Sequence, residues 1–407
     1  MTTEELEVKI ANFSGEPVIY VYFHDGGYSS YNGSNLRVED GWLVNTHGKI
    51  MQMSNISDAT KHAPIDLNIG NTLGSDPELF FIRDNEVVPS NLVVTRGERV
   101  IQDGFQGELN PTSNTCRQVS GAGIGYAFRE AMALAKSAGA TVSLRVGHVI
   151  GDGAWKNSPL TLRRFGCNPT LNTYEKSFKR VTGLRERFRA AGGHIHMGGL
   201  TDTDKVNADK LVALWDIFAG NTCVLIDRDP DNARRRKIYG RAGEHRMKSY
   251  GIEYRVLSNF WLKHYILWSF CTALLRNGLV FFRLGMYDEI VQRFDMTKVR
   301  KAINENDYEL ALENFRILRK FIEEKKPLGQ GLSITRIDKI EKWLTSADPL
   351  HFCKTLAETA QSWESIIDSN STPGFEKFID EGQVELDEDF DDDDENWDDD
   401  ENKDVFI

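Results

Sequence analysis

The sequence contains no Cys-x-x-Cys pair. Its five cysteines, Cys116, Cys167, Cys223, Cys271 and Cys353, are scattered along 407 residues. That spacing excludes a zinc ribbon and argues against a disulfide framework. Reduced, buried thiols of a cytoplasmic protein are the expectation. A secretory leader is not expected, because Met1-Thr2-Thr3-Glu4-Glu5 offers neither a basic nor an apolar region. The longest apolar run, around Tyr265 to Leu275, reads as too short for a bilayer and as a buried helix. No Gly-x-x-x-x-Gly-Lys-Ser/Thr occurs, so a P-loop is excluded. Gly121-Ala122-Gly123-Ile124-Gly125 is glycine-rich but lacks the lysine, and reads as the start of a helix. No internal repeat is visible.

Net charge is scarce outside one segment. The formal net charge is −12. Residues 385–407 hold fourteen Asp and Glu against one Lys, a balance of −13 that leaves the rest at +1. The isoelectric point therefore says nothing about the active surface. A segment this acidic repels itself and buries little, so residues 376–407 are expected to be a disordered tail. Phe390, Trp397 and Val405-Phe406-Ile407 lie within it. A solubilising tail has no use for them, whereas a segment that docks on a basic protein partner does.

What is present suggests an α+β protein. Residues 1–66 read as a small β-rich module, with strands at Val8–Ile10, Val18–Phe23, Trp42–Val44 and Ile50–Met53. The main body spans 67–375. Strands are expected at Glu78–Arg83, Arg99–Glu108, Thr141–Ile150, Phe188–Met197 and Gly251–Leu257. Helices are expected at Ala122–Ala138, Lys205–Leu225 (amphipathic), Asn259–Asn277 and over most of 288–368, with a loop at Pro327–Gly331.

The centre of the chemistry is Gly192-Gly193-His194-Ile195-His196-Met197-Gly198-Gly199. Side chains two apart on a strand share a face, so His194 and His196 face one space and Ile195 the other. The paired glycines let backbone approach a ligand closely. Such a pair handles a metal or a phosphate, zinc being as plausible as any ion from this segment alone. Three segments offer partners. In Gly74-Ser75-Asp76-Pro77-Glu78, Asp76 and Glu78 share a face and suit a hard cation, although Asp-Pro also opens turns. In Gln106-Gly107-Glu108-Leu109-Asn110, alternate polar residues make a row that serves a site or simply faces solvent. The third runs from Arg234-Arg235-Arg236 through Arg241, Glu244 and Arg246 to Glu253 and Arg255. Arginine forks suit phosphate and carboxylate. A surface basic patch accounts for Arg234 to Arg236, but apolar residues bracket Glu253 and Arg255. Together the segments suit divalent ions clamping a nucleoside triphosphate.

This order of segments resembles the glutamine synthetase and glutamate–cysteine ligase superfamily, and most closely its phage-type carboxylate–amine ligases (amidoligases of type 2). Asp76-Pro77-Glu78, Gly107-Glu108, Gly193-His194-Ile195-His196 and Ile252-Glu253-Tyr254-Arg255 carry the resemblance. It implies an antiparallel sheet with helices on one face and ATP with Mg²⁺, or Mn²⁺, on the other, making 67–375 the catalytic domain. It makes Asp76, Glu78, Glu108, His194 and Glu253 metal ligands and His196 a nucleotide-phosphate contact or accessory ligand. Arg241, Arg246 and Arg255 become phosphoryl or carboxylate contacts. The sequence departs from the family where Asp-Pro-Glu replaces two glutamates, and where Asp103 is the second acid available beside Glu108. The implied reaction phosphorylates a carboxylate, and an amine then displaces phosphate to form an amide. Glu244 is a candidate for the base that accepts the amine's proton.

Two other classes compete. A phosphotransferase of the same fold stops at a phosphorylated product, and a binding protein works through its acidic tail alone. Small-molecule or peptide carboxylates and amines are the expected partners, without a membrane. The residues identify neither substrate.

Overall fold

The computed structural model describes residues 71–114, 117–164, 170–176, 178–179, 186–325 and 337–368, and the backbone of six short strands between Glu7 and Gln52. Those six are β1 (Glu7–Phe13), β2 (Glu16–Tyr22), β3 (Tyr28–Tyr31), β4 (Arg37–Glu39), β5 (Trp42–Asn45) and β6 (Gly48–Gln52). They pair as two antiparallel three-stranded sheets, β1-β2-β3 and β4-β5-β6. β-Branched and aromatic residues thus form strands where their alternation predicted them. The Gly26-Gly27 and Asn32-Gly33 punctuation, the Pro327–Gly331 loop and the acidic tail lie outside the described residues.

The body opens with β7 (Leu73–Ser75), then β8 (Glu78–Arg83) and β9 (Glu86–Val88). Asp84 and Asn85 join the last two with φ of 52° and 61°. Short polar side chains tolerate that left-handed turn, which suits a tight hairpin. A second hairpin follows, β10 (Val100–Asp103) and β11 (Gln106–Leu109). Leu79, Phe81 and Leu109 face one way, into a core shared with Ile124, Phe128 and Ala131 of α1 (Arg117–Ser137). Glu78 and Phe80 face the other way, so β8 obeys the period of two. β12 (Thr141–Ser143) completes a sheet ordered β10-β11-β8-β12, with β9 on β8.

The expected strand at Thr141–Ile150 is broken; only Gly147–Val149 resumes as β13, ahead of the short α2 (Asp152–Asn157). Next come β14 (Thr170–Asn172), β15 (Phe178–Lys179), β16 (Phe188–Ala190) and β17 (Ile195–Gly198). β16 pairs with β13, and β17 with β7. The expected continuous strand Phe188–Met197 therefore splits. The cause is close backbone approach: a Cβ on Gly193 would stand 2.1 Å from Ser258 O. Gly193 N–H donates to Leu257 O at 3.1 Å, and Gly192 O accepts from Glu78 N–H at 2.8 Å. This crossing ties the two sheets together.

Residues 202–224 are not one amphipathic helix. They form α3 (Asp202–Val206), α4 (Ala208–Trp215), a π-helical turn over Asp216–Gly220 and α5 (Asn221–Val224). Every residue from Leu211 to Val224 is buried, which no single apolar stripe would produce. After α6 (Asn232–Ile238) come β18 (Glu244–Lys248) and β19 (Gly251–Tyr254). The main sheet is wholly antiparallel, in the order β15-β14-β18-β19-β17-β7.

A 3₁₀ turn at Asn259–Lys263 leads to α7 (Tyr265–Arg283), and α8 (Tyr287–Val291), α9 (Met296–Glu305), α10 (Tyr308–Lys325), α11 (Ile337–Thr345) and α12 (Leu356–Asp368) follow. The apolar run is longer than the sequence suggested. α7 has 19 residues and passes for a membrane span by length and composition, yet its apolar stretch is 94% buried inside the fold. It packs through Trp268, Leu274 and Phe281. Truncating one such tryptophan to alanine costs about 3–5 kcal/mol. Cys223 and Cys271 lie in the same core, and with Cys353 they are free thiols. Cys116 and Cys167 lie outside the described residues.

Candidate active site

The register of the main sheet builds the first half of the site. Arg246 lies opposite Glu253, Glu253 opposite His196, and His196 opposite Gly74. Directly opposed residues share a face. Ile252 and Tyr254 point the other way and are fully buried in the core, so the row of polar groups occupies the second face. Asp76, two residues beyond Gly74, reaches the same row. Its Oδ1 is 3.1 Å from His194 Nδ1 and its Oδ2 is 3.2 Å from His196 Nε2.

Burial works against the charge on Asp76, yet His196 and His194 pull its carboxyl well below the usual range. His196 shows the reciprocal effect: burial opposes its imidazolium, and Asp76 raises it above the ordinary value. Glu253 is completely buried and surrounded by cations. Arg255 Nε is 3.1 Å from its Oε1, and Arg246 Nη1 and Lys248 Nζ are each 3.2 Å from its Oε2. Against the burial, His194 first and then Arg255 and His196 hold this carboxyl below its usual value.

The second half stands on β8 and β11. Glu108 lies directly opposite Glu78, and Asp103 lies across the hairpin from Gln106. Glu78 Oε2 accepts three hydrogen bonds, from Gly192 N at 2.8 Å, Tyr239 Oη at 2.9 Å and Gln106 Nε2 at 3.0 Å. Burial, then the carboxylates of Asp76, Glu78, Asp103 and Glu253, pushes Glu108 up to about 9. A carboxyl among four others is a group that a bound cation would relieve.

Two sets of ligand atoms have metal spacing. Asp76, His196 and Glu253 form one, and Glu78, Asp103 and Glu108 the other; within each set the atoms lie within 4.8 Å of one another. The donor chemistry fits a hard divalent cation, most simply at the all-carboxylate set. His196 Nε2 and Glu253 Oε1 are buried and make ion-pair contacts, to Asp76 Oδ2 at 3.2 Å and Arg255 Nε at 3.1 Å, without hydrogen-bond geometry, which leaves both atoms open to an ion. Asp103, whose spacing departs from the family pattern, joins because the hairpin brings it to Glu78 and Glu108.

The two histidines face the same carboxylates from different places. His196 belongs to a metal-spaced set; His194 does not. The reason is the break at Gly192-Gly193, which leaves His194 just outside β17. Its Nδ1 sits between Asp76 Oδ1, at 3.1 Å, and Glu253 Oε1, at 3.6 Å. Its Nε2 abuts Gly192, where a Cβ would come within 2.5 Å. Two other expectations are also placed elsewhere. Arg241 pairs with Glu175 at 2.9 Å. Glu244 Oε2 accepts from Gly240 N at 2.6 Å, and the residue is buried, holding a turn.

Lys248 and Tyr239 were missed by the sequence reading. Lys248 alternates with Arg246 on β18, so a period-of-two reading of that segment would have found it. Tyr239 follows α6 and has no local signal. Tyr250, at the β18–β19 turn, joins too: its Oη is 3.0 Å from His196 Nδ1.

A helix-backed antiparallel sheet with acids, histidines and arginines on its open face is the class of protein defined here. Residues 180–327 match the family model described as Phage phiEco32-like COOH.NH2 ligase-type 2. This match supports, over that span, the resemblance to carboxylate–amine ligases that the order of motifs carries. The match includes His194, His196, Arg241, Arg246, Glu253 and Arg255; Asp76, Glu78 and Glu108 precede it. No curated protein matches the chain.

Proposed function

We propose that the protein is an ATP- and Mg²⁺-dependent ligase that joins a carboxylate to an amine through an acyl phosphate. The supporting observation is the pairing of two carboxylate-rich sets with three cations around Glu253. Glu78, Asp103 and Glu108 would hold one ion and Asp76, His196 and Glu253 another, Mn²⁺ being an alternative to Mg²⁺. Bound there, the ions supply charge neutralisation for phosphoryl transfer. Arg246, Arg255 and Lys248 are set to stabilise negative charge on the transferring group. His194 orients the carboxylates of Asp76 and Glu253 from between them.

In the first step an oxygen of the substrate carboxylate attacks the γ-phosphorus of ATP. The bond to the β-phosphate bridging oxygen breaks, and ADP leaves. In the second, the amine nitrogen attacks the acyl carbon and inorganic phosphate leaves with the C–O electron pair. The amine's proton passes to a carboxylate on the same face. The test is incubation with ATP, Mg²⁺ and a metabolite extract, followed by mass spectrometry. A product one water lighter than the sum of two metabolites, formed with stoichiometric ADP and absent with Glu253→Gln, is the expected result. A stable phosphorylated product without amide overturns the reading.

A further inference from the structure

The three consecutive arginines have three different fates. Arg234 is exposed, lies over the Phe188 ring at 3.9 Å and sits 3.7 Å from Glu186. Arg235 is buried and both its Nη groups are held by backbone, donating to Val256 O at 2.9 Å, Arg255 O at 3.2 Å and Leu257 O at 2.7 Å, with Nε left over. Arg236 is also buried, at 4% exposure, but its Nη groups are far less engaged than those of Arg235. Its Nη1 donates to Gly240 O at a long 3.3 Å, and its Nε has no hydrogen-bond partner. Among the described residues no carboxylate lies within ion-pair distance of it. Burial, and then the neighbouring Arg235, pull its guanidinium down to about 10. The buried carboxylates of Asp227 and Asp216 offset this in part from beyond ion-pair distance, and a buried guanidinium with no direct ion pair is costly unless a ligand completes it.

Arg236 opens onto a hollow of about 410 Å³, lined also by Lys237, Arg241, Ala233, Asn304 and Glu305. That volume suits a small molecule. Two carboxylates at the edge of the hollow are engaged: Glu175 holds Arg241, and Glu305 is exposed and 3.9 Å from Lys301. Asn304 Oδ1 accepts from Ala242 N at 2.9 Å, which fixes the side chain at the wall. We propose that this hollow between α6 and α9 binds a small oxyanion, a carboxylate or a phosphate, with Arg236 as its buried anchor. The site does not depend on the ligase reading, since its residues belong to neither metal-spaced set.

The test uses the full chain without ATP or divalent cation. Melting temperature and titration calorimetry are recorded with inorganic phosphate in one arm and succinate in the other, against chloride at equal ionic strength. One anion or both should raise the melting temperature and give saturable heat, and the stronger arm identifies the source of the oxyanion. Arg236→Met should weaken that binding about tenfold or more, the loss of one charge-assisted contact. It should also melt no lower than wild type when no anion is present, because the unpaired charge is gone. A purely structural Arg236 predicts the opposite shift. Exposed Lys237→Met, which leaves the core untouched, should weaken binding less. Neither anion binding wild type, or both variants binding as wild type does, would overturn the proposal.

Discussion

Glu253 of β19 stands directly opposite His196 of β17, and Asp76 completes a metal-spaced set with them. The acid and the imidazole are some sixty residues apart in sequence, and antiparallel register alone makes them neighbours. Sheet register is stiff, because a slip by one residue would send Glu253 into the core and Tyr254 out of it. The polar row and the apolar core therefore enforce each other.

The different places of the two histidines lead to a contrast between variants. His196→Ala should weaken Mn²⁺ binding about tenfold to a hundredfold, as loss of a ligand. His194→Ala should weaken it less and cost more in stability, because it leaves Asp76 and Glu253 facing each other without the ring between them. Mn²⁺ titration followed by paramagnetic resonance, with thermal melts alongside, reads both. Equal Mn²⁺ affinity in wild type and His196→Ala would remove His196 from the metal set.

Glu108 sets a pH dependence in the protein freed of divalent ions. Unfolded, its carboxyl has the ordinary value of 4.5, and folded it is pushed up to about 9. Between those values the folded chain holds a proton that the unfolded chain has lost. Stability therefore falls as pH rises from about 4.5 to 9. Glu108→Gln should flatten this fall, and saturating Mg²⁺ should do the same in wild type. Melting temperatures across that range check it; an unchanged slope in Glu108→Gln refutes it.

Glu78 is positioned by its three donors, one of them the Tyr239 hydroxyl, which also lies 2.7 Å from Ala190 O. Tyr239→Phe keeps the ring and removes the hydroxyl. The expected cost is about 1 kcal/mol of stability. Metal affinity should fall about tenfold or more through misorientation of Glu78, as with other groups that orient a ligand. Chemical denaturation and metal titration measure the two effects. A loss of stability with metal affinity unchanged would mean that Tyr239 supports the fold and not the site.

The short-range content of the sequence was enough for the α+β class, the antiparallel strands at Glu78–Arg83 and around Glu253, and the buried run at Tyr265. Alternation and apolar runs act over a few residues, and they decide which face of a strand turns inward. They also put Asp76, Glu78, Glu108, His196, Arg246, Glu253 and Arg255 together before any contact was visible, since each lies on a strand or beside one. Three things were not legible. The break at Gly192-Gly193 depends on Ser258, a residue more than sixty positions away, and it sets His194 apart from the strand that carries His196. The burial of 211–224 on all sides depends on helices packing from every direction. The separate fates of Arg234, Arg235 and Arg236 depend on which carbonyls and which hollow each guanidinium meets. Local residue pattern determined what each segment offers; close backbone approach and tertiary burial decided which atoms face the site, because those are set by distant parts of the chain.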